Sequence, residues 1–456
     1  MRRVALTVGS ALAMGMLTMS SAVRAADLDY SKALRMTVGF YDANRCGKDV
    51  ARDSAFPWRV DCHTDDGQDV GVDLSGGFHD AGDHVKFGLT QGYSAAVLGW
   101  TYLELPEALR KTGSDQKLLS TLRRFTDYFL KAHPKPDIFY YQVGDGGEDH
   151  GYWGPPEKQP GPRPTRRFAD ATHPASDILG ETAAALALAS IHFKSSDPTY
   201  AGRCLQAARE LYEMGKKHRG VGDCRPFYES SSYLDDLAWG ALWLHRATQE
   251  KGYLQDAKAF VQEAKKAAGK KDDPFHSKST MNWDDVFPGV MLVLSEVTGE
   301  KKYRDAVTAN LEYWTKSLKS TPGGLKWFAQ WGVCRYAASA SMLALLAARR
   351  DPAHATRWRA FAHSQIDYIL GKNPAKLSYV IGFGDASPKD PHHRASVSCR
   401  YERGRTDADC VLNGALVGGP NEDDEYQDSM DMYQFSEVAL DYNAGLVGAL
   451  AGIVSE

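Results

Sequence analysis

Alternation of apolar and polar residues, the mark of a half-buried strand, is scarce in this sequence, which excludes an all-β architecture and leaves helix as the main element. Cysteine is scarce as well: seven in 456 residues are too few for a disulfide scaffold. No polybasic cluster occurs, and 54 Lys and Arg against 58 Asp and Glu give a net charge of −4, so nucleic acid has no electrostatic footprint here. Beyond residue 25 no apolar run is long enough to span a bilayer, so neither nucleic acid nor membrane is an expected partner, and a monomer is. A linker rich in Pro, Ser or Thr is also missing. The chain therefore reads as one domain from 27 to 456.

What is there begins with an export signal at 1–25: Arg2 and Arg3, an apolar run from Val4 to Leu17, and Val23-Arg24-Ala25 as a small-residue cleavage site. A secreted product, extracellular or periplasmic, is expected. Export permits disulfides, and proximity pairs Cys46 with Cys62, Cys204 with Cys224 and Cys399 with Cys410, leaving Cys334 as a buried thiol on a helix. With 43% hydrophobic and 25% charged residues, the chain can bury a large core.

Apolar residues recur at three and four over twelve stretches: 28–43, 91–104, 115–133, 175–194, 198–217, 233–249, 253–268, 284–298, 301–317, 331–350, 355–371 and 434–454. These fall into pairs. Second members such as Glu181 to Leu188 and Tyr336 to Leu343 are apolar nearly all round, whereas first members such as 253–268 carry Lys, Asp and Glu on one face. All-round apolar helices are buried and striped ones cover them, which predicts an all-α (α/α)6 barrel of six inner and six outer helices. Loops entering the inner helices hold most of the unusual aromatic and ionisable residues, and those at 44–90 and 372–433 are long. Function is expected in a cleft where these loops gather at one end.

Within the first long loop lies Gly76-Gly77-Phe78-His79-Asp80-Ala81-Gly82-Asp83-His84. Two carboxylates three residues apart in a glycine-rich turn suit a held water or an ion, and equally suit an Asx-turn or a helix cap. A metallohydrolase using His79 and Asp80 would need further His and Asp at matching helical spacing, which the chain does not supply. Near the C-terminus, Glu437 is expected to open the last apolar helix. A carboxyl among aromatics there is a candidate general acid or a first-turn residue favoured by the helix dipole.

These stretches resemble glycoside hydrolase family 9, the inverting cellulases, and the likeness runs through most of the chain. The Asp80-Ala81-Gly82-Asp83 loop resembles the family's Asp-Ala-Gly-Asp motif; Ser378 to Gly384 with Pro391 to Arg394 resembles its first signature, and Tyr426 to Ala444 its second. The resemblance implies Asp83 as base, Asp80 as its partner on the nucleophilic water, and Glu437 as acid. It also implies sugar contacts by His150, Trp153, Trp331, Tyr336, His392, Arg394 and Tyr442. Clustered carboxylates and hydroxyls at Ser231, Ser232, Asp235, Asp236 and Asp284 suit a structural calcium, as in relatives, or plain helix capping; no organic cofactor is expected. Ser436 stands where many relatives have Asn, Ser429-Met430 replaces an Asp-Arg-like pair, and Ala175 a common Gly. The expected activity is endo-1,4-β-glucanase on cellulose or related β-glucans. Rival readings are a glycan-binding protein that has lost catalysis and a polysaccharide lyase on an α/α toroid.

Overall fold

The computed structural model describes residues 28–268, 273–402 and 410–456, so the proposed export signal lies outside the described residues. In chain order the helices are α1 (Tyr30–Gly39), α2 (Gly88–Glu104), α3 (Pro106–Thr112), α4 (Asp115–Ala132), α5 (Gly146–Gly151), α6 (Ser176–Phe193), α7 (Pro198–Lys217), α8 (Leu234–Thr248), α9 (Lys251–Ala268), α10 (Phe287–Thr298), α11 (Lys301–Glu312), α12 (Val333–Ala348), α13 (Ala355–Ile369), α14 (Arg394–Glu402), α15 (Tyr433–Ser436) and α16 (Leu440–Val454). Helices α2, α6, α8, α10, α12 and α16 pack side by side in that order, and α16 returns to α2, which closes an inner ring. Outside it stand α1, α4, α7, α9, α11 and α13, the expected (α/α)6 barrel. None of the described helices is long and apolar enough to cross a membrane.

Composition decides which helix goes where. In α16 every residue from Leu440 to Ile453 is buried, as an apolar circumference demands, whereas α4 buries a stripe that includes Leu118, Leu122, Phe125 and Phe129 and exposes Gln116, Ser120, Asp127 and Lys131. The ring is tight because glycines meet backbone across it. A Cβ on Gly180 of α6 would come within 2.4 Å of the Asp236 carbonyl oxygen of α8. Within the ring Trp239 meets both Trp100 and Trp243 edge to face, with centroids 5.4 and 5.1 Å apart, and Trp100 and Trp243 are tilted at 6.1 Å.

One element was not expected. Strands β1 (Lys86–Phe87), β2 (Phe139–Val143) and β3 (Thr165–Ala169) form an antiparallel sheet in the order β1-β2-β3, pairing Lys86 with Val143 and Tyr140 with Phe168. The β2–β3 connection contains α5 and delivers His150 and Trp153 to the same end of the barrel as Asp80 and Asp83.

Of the expected disulfides, Cys399–Cys410 is formed. Cys334 is a buried thiol on α12, also as expected. The other two pairings are corrected: Cys46, Cys62, Cys204 and Cys224 are buried free thiols. Cys204 lies on α7 beside Tyr200 while Cys224 packs near Asp177 and Tyr141, so nearness in sequence did not bring them together.

Candidate active site

The loop after Gly76 is fixed mainly by backbone. Gly76 and Gly77 take φ of 101° and 69°, which side chains resist. Gly82 is needed for a different reason: a Cβ there would fall 1.9 Å from the His392 carbonyl oxygen, and the Arg394 N–H donates to the Gly82 carbonyl at 2.9 Å. The N-terminal and C-terminal motifs thus dock backbone against backbone. Asn44 Nδ2 holds the carbonyls of His79 and Ala81 at 3.1 and 3.0 Å, and the Leu440 N–H at the start of α16 donates to the Asp80 carbonyl at 3.0 Å.

Asp80 is buried, and its two oxygens accept the hydroxyls of Thr90 and Tyr228. Burial, then the charge on Asp83, raise its proton affinity, against which the two hydroxyls pull. Burial would raise Asp83 too, but His150, with Nε2 3.4 Å from Asp83 Oδ2, and Arg394 hold it below the usual carboxylate range. Asp83 is therefore the charged member of the pair. The two carboxyls thus sit in opposite settings, Asp83 held low and Asp80 raised with a hydroxyl on each oxygen.

Glu437 faces them across the cleft, and its setting corrects one expectation. It does not open a helix: α16 begins at Leu440, and Glu437 is extended, with φ −63° and ψ 146°. The stretch pairs as a strand would, with Gly418 N–H donating to the Glu437 carbonyl at 2.9 Å, His392 N–H to Ser436 at 3.1 Å, and Val417 bridging Val438. The helix-dipole explanation for a Glu here is removed. Burial above all, opposed by the Trp331 Nε1–H donated to Oε2 at 2.8 Å and aided by Asp83 and Asp441, pushes the Glu437 carboxyl up to about 7. One carboxyl is low and the opposing one high, the pairing that separates a base from an acid.

The cleft between them holds about 550 Å³ and is lined by Asp80, Asp83, His150, Trp331, Tyr336, His392, Arg394, Glu437 and Tyr442, all expected. Trp153 stands at its rim, 40% exposed, against His392 (centroids 5.1 Å) and under the Arg394 guanidinium at 4.8 Å. Among the lining residues not assigned to the site from sequence are Phe227, Tyr228, Trp283, Arg335, Tyr433 and Asp441. Arg335 binds Asp441 at 2.5 Å and lies over Tyr336 and Tyr442. Tyr433, 43% exposed, packs on Trp331, itself 47% exposed, with centroids 5.2 Å apart. Exposed aromatic planes on both sides of a narrow acidic floor suit the C–H faces of sugar rings. Arg335, Tyr433 and Asp441 lay within or beside the motifs read from sequence; Phe227 and Tyr228 lay in no motif.

Two groups bear on metals. In the first, Asp235 Oδ2 accepts the Val286 N–H at 3.0 Å and Asp284 Oδ1 the Ser231 N–H at 2.6 Å, while Ser232 Oγ receives the Leu234 N–H at 3.1 Å. Capping thus uses part of the predicted calcium set. The Oδ1 atoms of Asp235 and Asp236 are buried without a partner, and burial raises the Asp235 carboxyl to about 6, so these residues fit a hard cation that would satisfy them. The second group was missed: Cys46, Cys62, His63 and His79, whose ligand atoms lie within 4.8 Å of one another, with His63 Nδ1 3.0 Å from His79 Nε2. His63 keeps φ at +51°, a costly conformation outside glycine. Two thiols and two imidazoles are a tetrahedral ligand set of the kind zinc takes. The adjacent Cys62-His63, with His79 next to Asp80, was the available signal.

Fold and site together define a glycoside hydrolase, and comparison with known proteins makes the class specific. The profile of Glycosyl hydrolase family 9 matches residues 30–450, and the chain belongs to that family. It is 41% identical over 449 residues to Endoglucanase A of Bacillus pumilus, covering 94% of this chain and 67% of that protein. To Endoglucanase 13 of Arabidopsis thaliana it is 35% identical, with 96% of each covered. The cellulase Cel9M of C. cellulolyticum, solved in complex with cellobiose, superposes with a TM-score of 0.89 at 49% identity over 94% of this chain and 99% of that one.

Proposed function

We infer that this endo-1,4-β-glucanase cleaves internal glucosidic bonds of cellulose or related β-glucans by a single displacement with inversion. Asp83 takes a proton from water as the water attacks the anomeric carbon, Asp80 holds that water's other side, and Glu437 protonates the departing glycosidic oxygen. The observation that carries this reading is the opposed pair: Asp83 held low by His150 and Arg394, Glu437 raised to about 7 across the cleft. Trp153, Trp331, Tyr336 and Tyr442 stack on or flank the sugars, and His150, His392 and Arg394 bind hydroxyls beside the cleaved bond. The cellobiose carried by the Cel9M structure supports a glucan in this cleft. The presence of Asp80, Asp83 and Glu437 together argues against a glycan-binding protein that has lost catalysis.

Proton NMR of cello-oligosaccharide digestion in its first minutes, before mutarotation, tests the assignment. Attack by water opposite the leaving group must release the α anomer from a β-linked substrate. Early β anomer would mean a carboxylate nucleophile and would end Asp83's role as base. We further propose calcium at Ser231, Ser232, Asp235, Asp236 and Asp284, tying the start of α8 to the loop before α10, and export of the chain as a monomer.

A further inference from the structure

Around Asp83 a set of buried charges remains that the mechanism does not use. His84 follows the base directly, and the peptides on both sides of its Cα are gripped. Its N–H donates to Asp149 Oδ1 at 3.0 Å, and its carbonyl accepts Arg163 Nη2 at 2.7 Å. Arg163 is itself anchored, with Nε on Asp66 Oδ1 at 3.0 Å, Nη1 on Gln159 Oε1 at 3.2 Å and Nη1 3.5 Å from Asp149 Oδ2. Asp66 in turn holds Lys86 Nζ at 2.7 Å, on the strand that continues the loop. Gln159 Nε2 completes Asp149 at 2.8 Å. The Arg163 side chain is 7% exposed and that of Asp149 1%, so these contacts act in a dry interior where a charge without a partner is costly.

The geometry points to Arg163 and Asp149 as positioning residues for the reaction: together they clamp the His84 peptide, fix where the Asp83 carboxylate stands, and set the charge it feels. An oxygen of Asp149, one of Asp83 and a nitrogen of His150 lie within 4.8 Å of one another, so Asp149 stands beside the base; burial and the Asp83 charge raise its proton affinity, against which the His84 N–H, Arg163 and Gln159 pull. Arg163 is the cation that compensates it. Only a guanidinium reaches His84, Asp66 and Asp149 at once, because its fork presents donors in three directions. Asp83 is faced by Asp80 from its own loop, by Asp149 and His150 from α5, by His392 and Arg394 at the start of α14, and by Glu437 across the cleft. Of these, Asp149 alone is tied to Arg163.

The inference rests on Asp83 being the base, and three variants of the whole enzyme test it through kcat, KM and the acid limb of the kcat/KM profile, which reports the free base. Arg163→Met leaves Asp149 uncompensated, so the limb should move up by about one pH unit, with kcat down about 10- to 100-fold and KM little changed. Asp149→Asn keeps an acceptor for the His84 N–H but removes the charge, so its limb should move down. Arg163→Lys keeps the charge and loses the fork: kcat falls while the limb stays. Opposite shifts in the first two variants are what a merely structural role would not produce. Limbs that stay put, or move in the same direction, overturn the proposal. If Arg163→Met does not fold, the other two variants decide: Asp149→Asn must lower the limb and Arg163→Lys must lower kcat with its limb unmoved, and an Asp149→Asn limb that stays or rises overturns the proposal. Asp83→Ala tests the underlying reading alone: activity retained there sinks the base assignment, whereas unaltered Arg163 and Asp149 variants beside an inactive Asp83→Ala sink only the clamp.

Discussion

The two sides of the cleft are built differently. On the base side, Asp80 and Asp83 sit in a loop whose backbone is held by Asn44, Arg394, Asp149 and Arg163, and Asp80 has a hydroxyl on each oxygen. On the acid side, Glu437 hangs from a short extended stretch, and its carboxyl receives one donor, Trp331, a side chain 47% exposed. A base that must aim a water gains from many fixed contacts. An acid that must keep its proton near neutral pH gains from having few, since every donor favours the ionised form. On the proposed assignment, the same residue type receives two roles from two environments.

Removing the acid itself breaks the comparison most severely. Glu437→Gln should fold, with an unchanged melting curve, and lose about 10³-fold or more in kcat on unactivated glucan, because an amide cannot deliver the proton. A rate above a tenth of wild type would place the acid elsewhere. On the base side, Thr90→Val deletes a hydroxyl donor to Asp80 without changing volume much, and kcat should fall about 10- to 30-fold while KM holds. Thr90→Ser should recover most of that loss, since it restores the hydroxyl. Failure of the serine to do better than the valine would separate Thr90 from Asp80's function.

The same contrast explains what could be read from the sequence. Eleven of the twelve inner and outer helices begin within three residues of where periodicity put them, because each carries its burial pattern within one turn of itself. The last helix fails at its start: Val438 and Ala439 continue the apolar run, but they are extended because Val417 and Gly418, some twenty residues away, pair with that stretch. Strand β2 was invisible because all five of its residues are buried, which erases alternation, and β1 hides behind Lys86, buried through its pairing with Asp66. Asp80, Asp83 and Glu437 were legible as motifs. Thr90, Tyr228, Asp149 and Arg163 were not, since their meaning lies in which atoms they meet. Cys46 and Cys62 show the limit of spacing arguments: nearness fits a disulfide and a pair of metal ligands equally, and His63 and His79 join them only once the chain is folded.

That cluster adjoins the base side, with His79 next to Asp80, and so offers a test of how far base and acid are mechanically independent. With a zinc-type ion bound, removal by chelator should lower the melting temperature through lost linkage. Cys46→Ser should do the same and make the chelator ineffective. Elemental analysis of wild type and variant reads the occupancy directly. A melting curve indifferent to both, with no metal found, would leave the four residues as packing.

The smallest effect is the most specific to the acid side. Trp331→Phe keeps an aromatic face for the sugar but removes the indole N–H on Glu437 Oε2. That hydrogen bond stabilises the carboxylate, so its loss must raise the Glu437 proton affinity further above about 7. Glu437 works protonated, so activity is lost as pH rises through its pKa; raising that pKa moves the alkaline limb of the profile upward. The acid limb, set by Asp83, should stay where it is. Two costs oppose the gain: Glu437 is no longer aimed by the indole, and a more weakly acidic group transfers its proton less readily. The expected result is kcat down about 3- to 10-fold at the optimum, with the alkaline limb displaced upward by a few tenths of a pH unit to about one. An alkaline limb that moves down, or an acid limb that moves with it, would mean that Glu437 does not govern the high-pH side, and the division of roles between the two sides of the cleft would have to be redrawn.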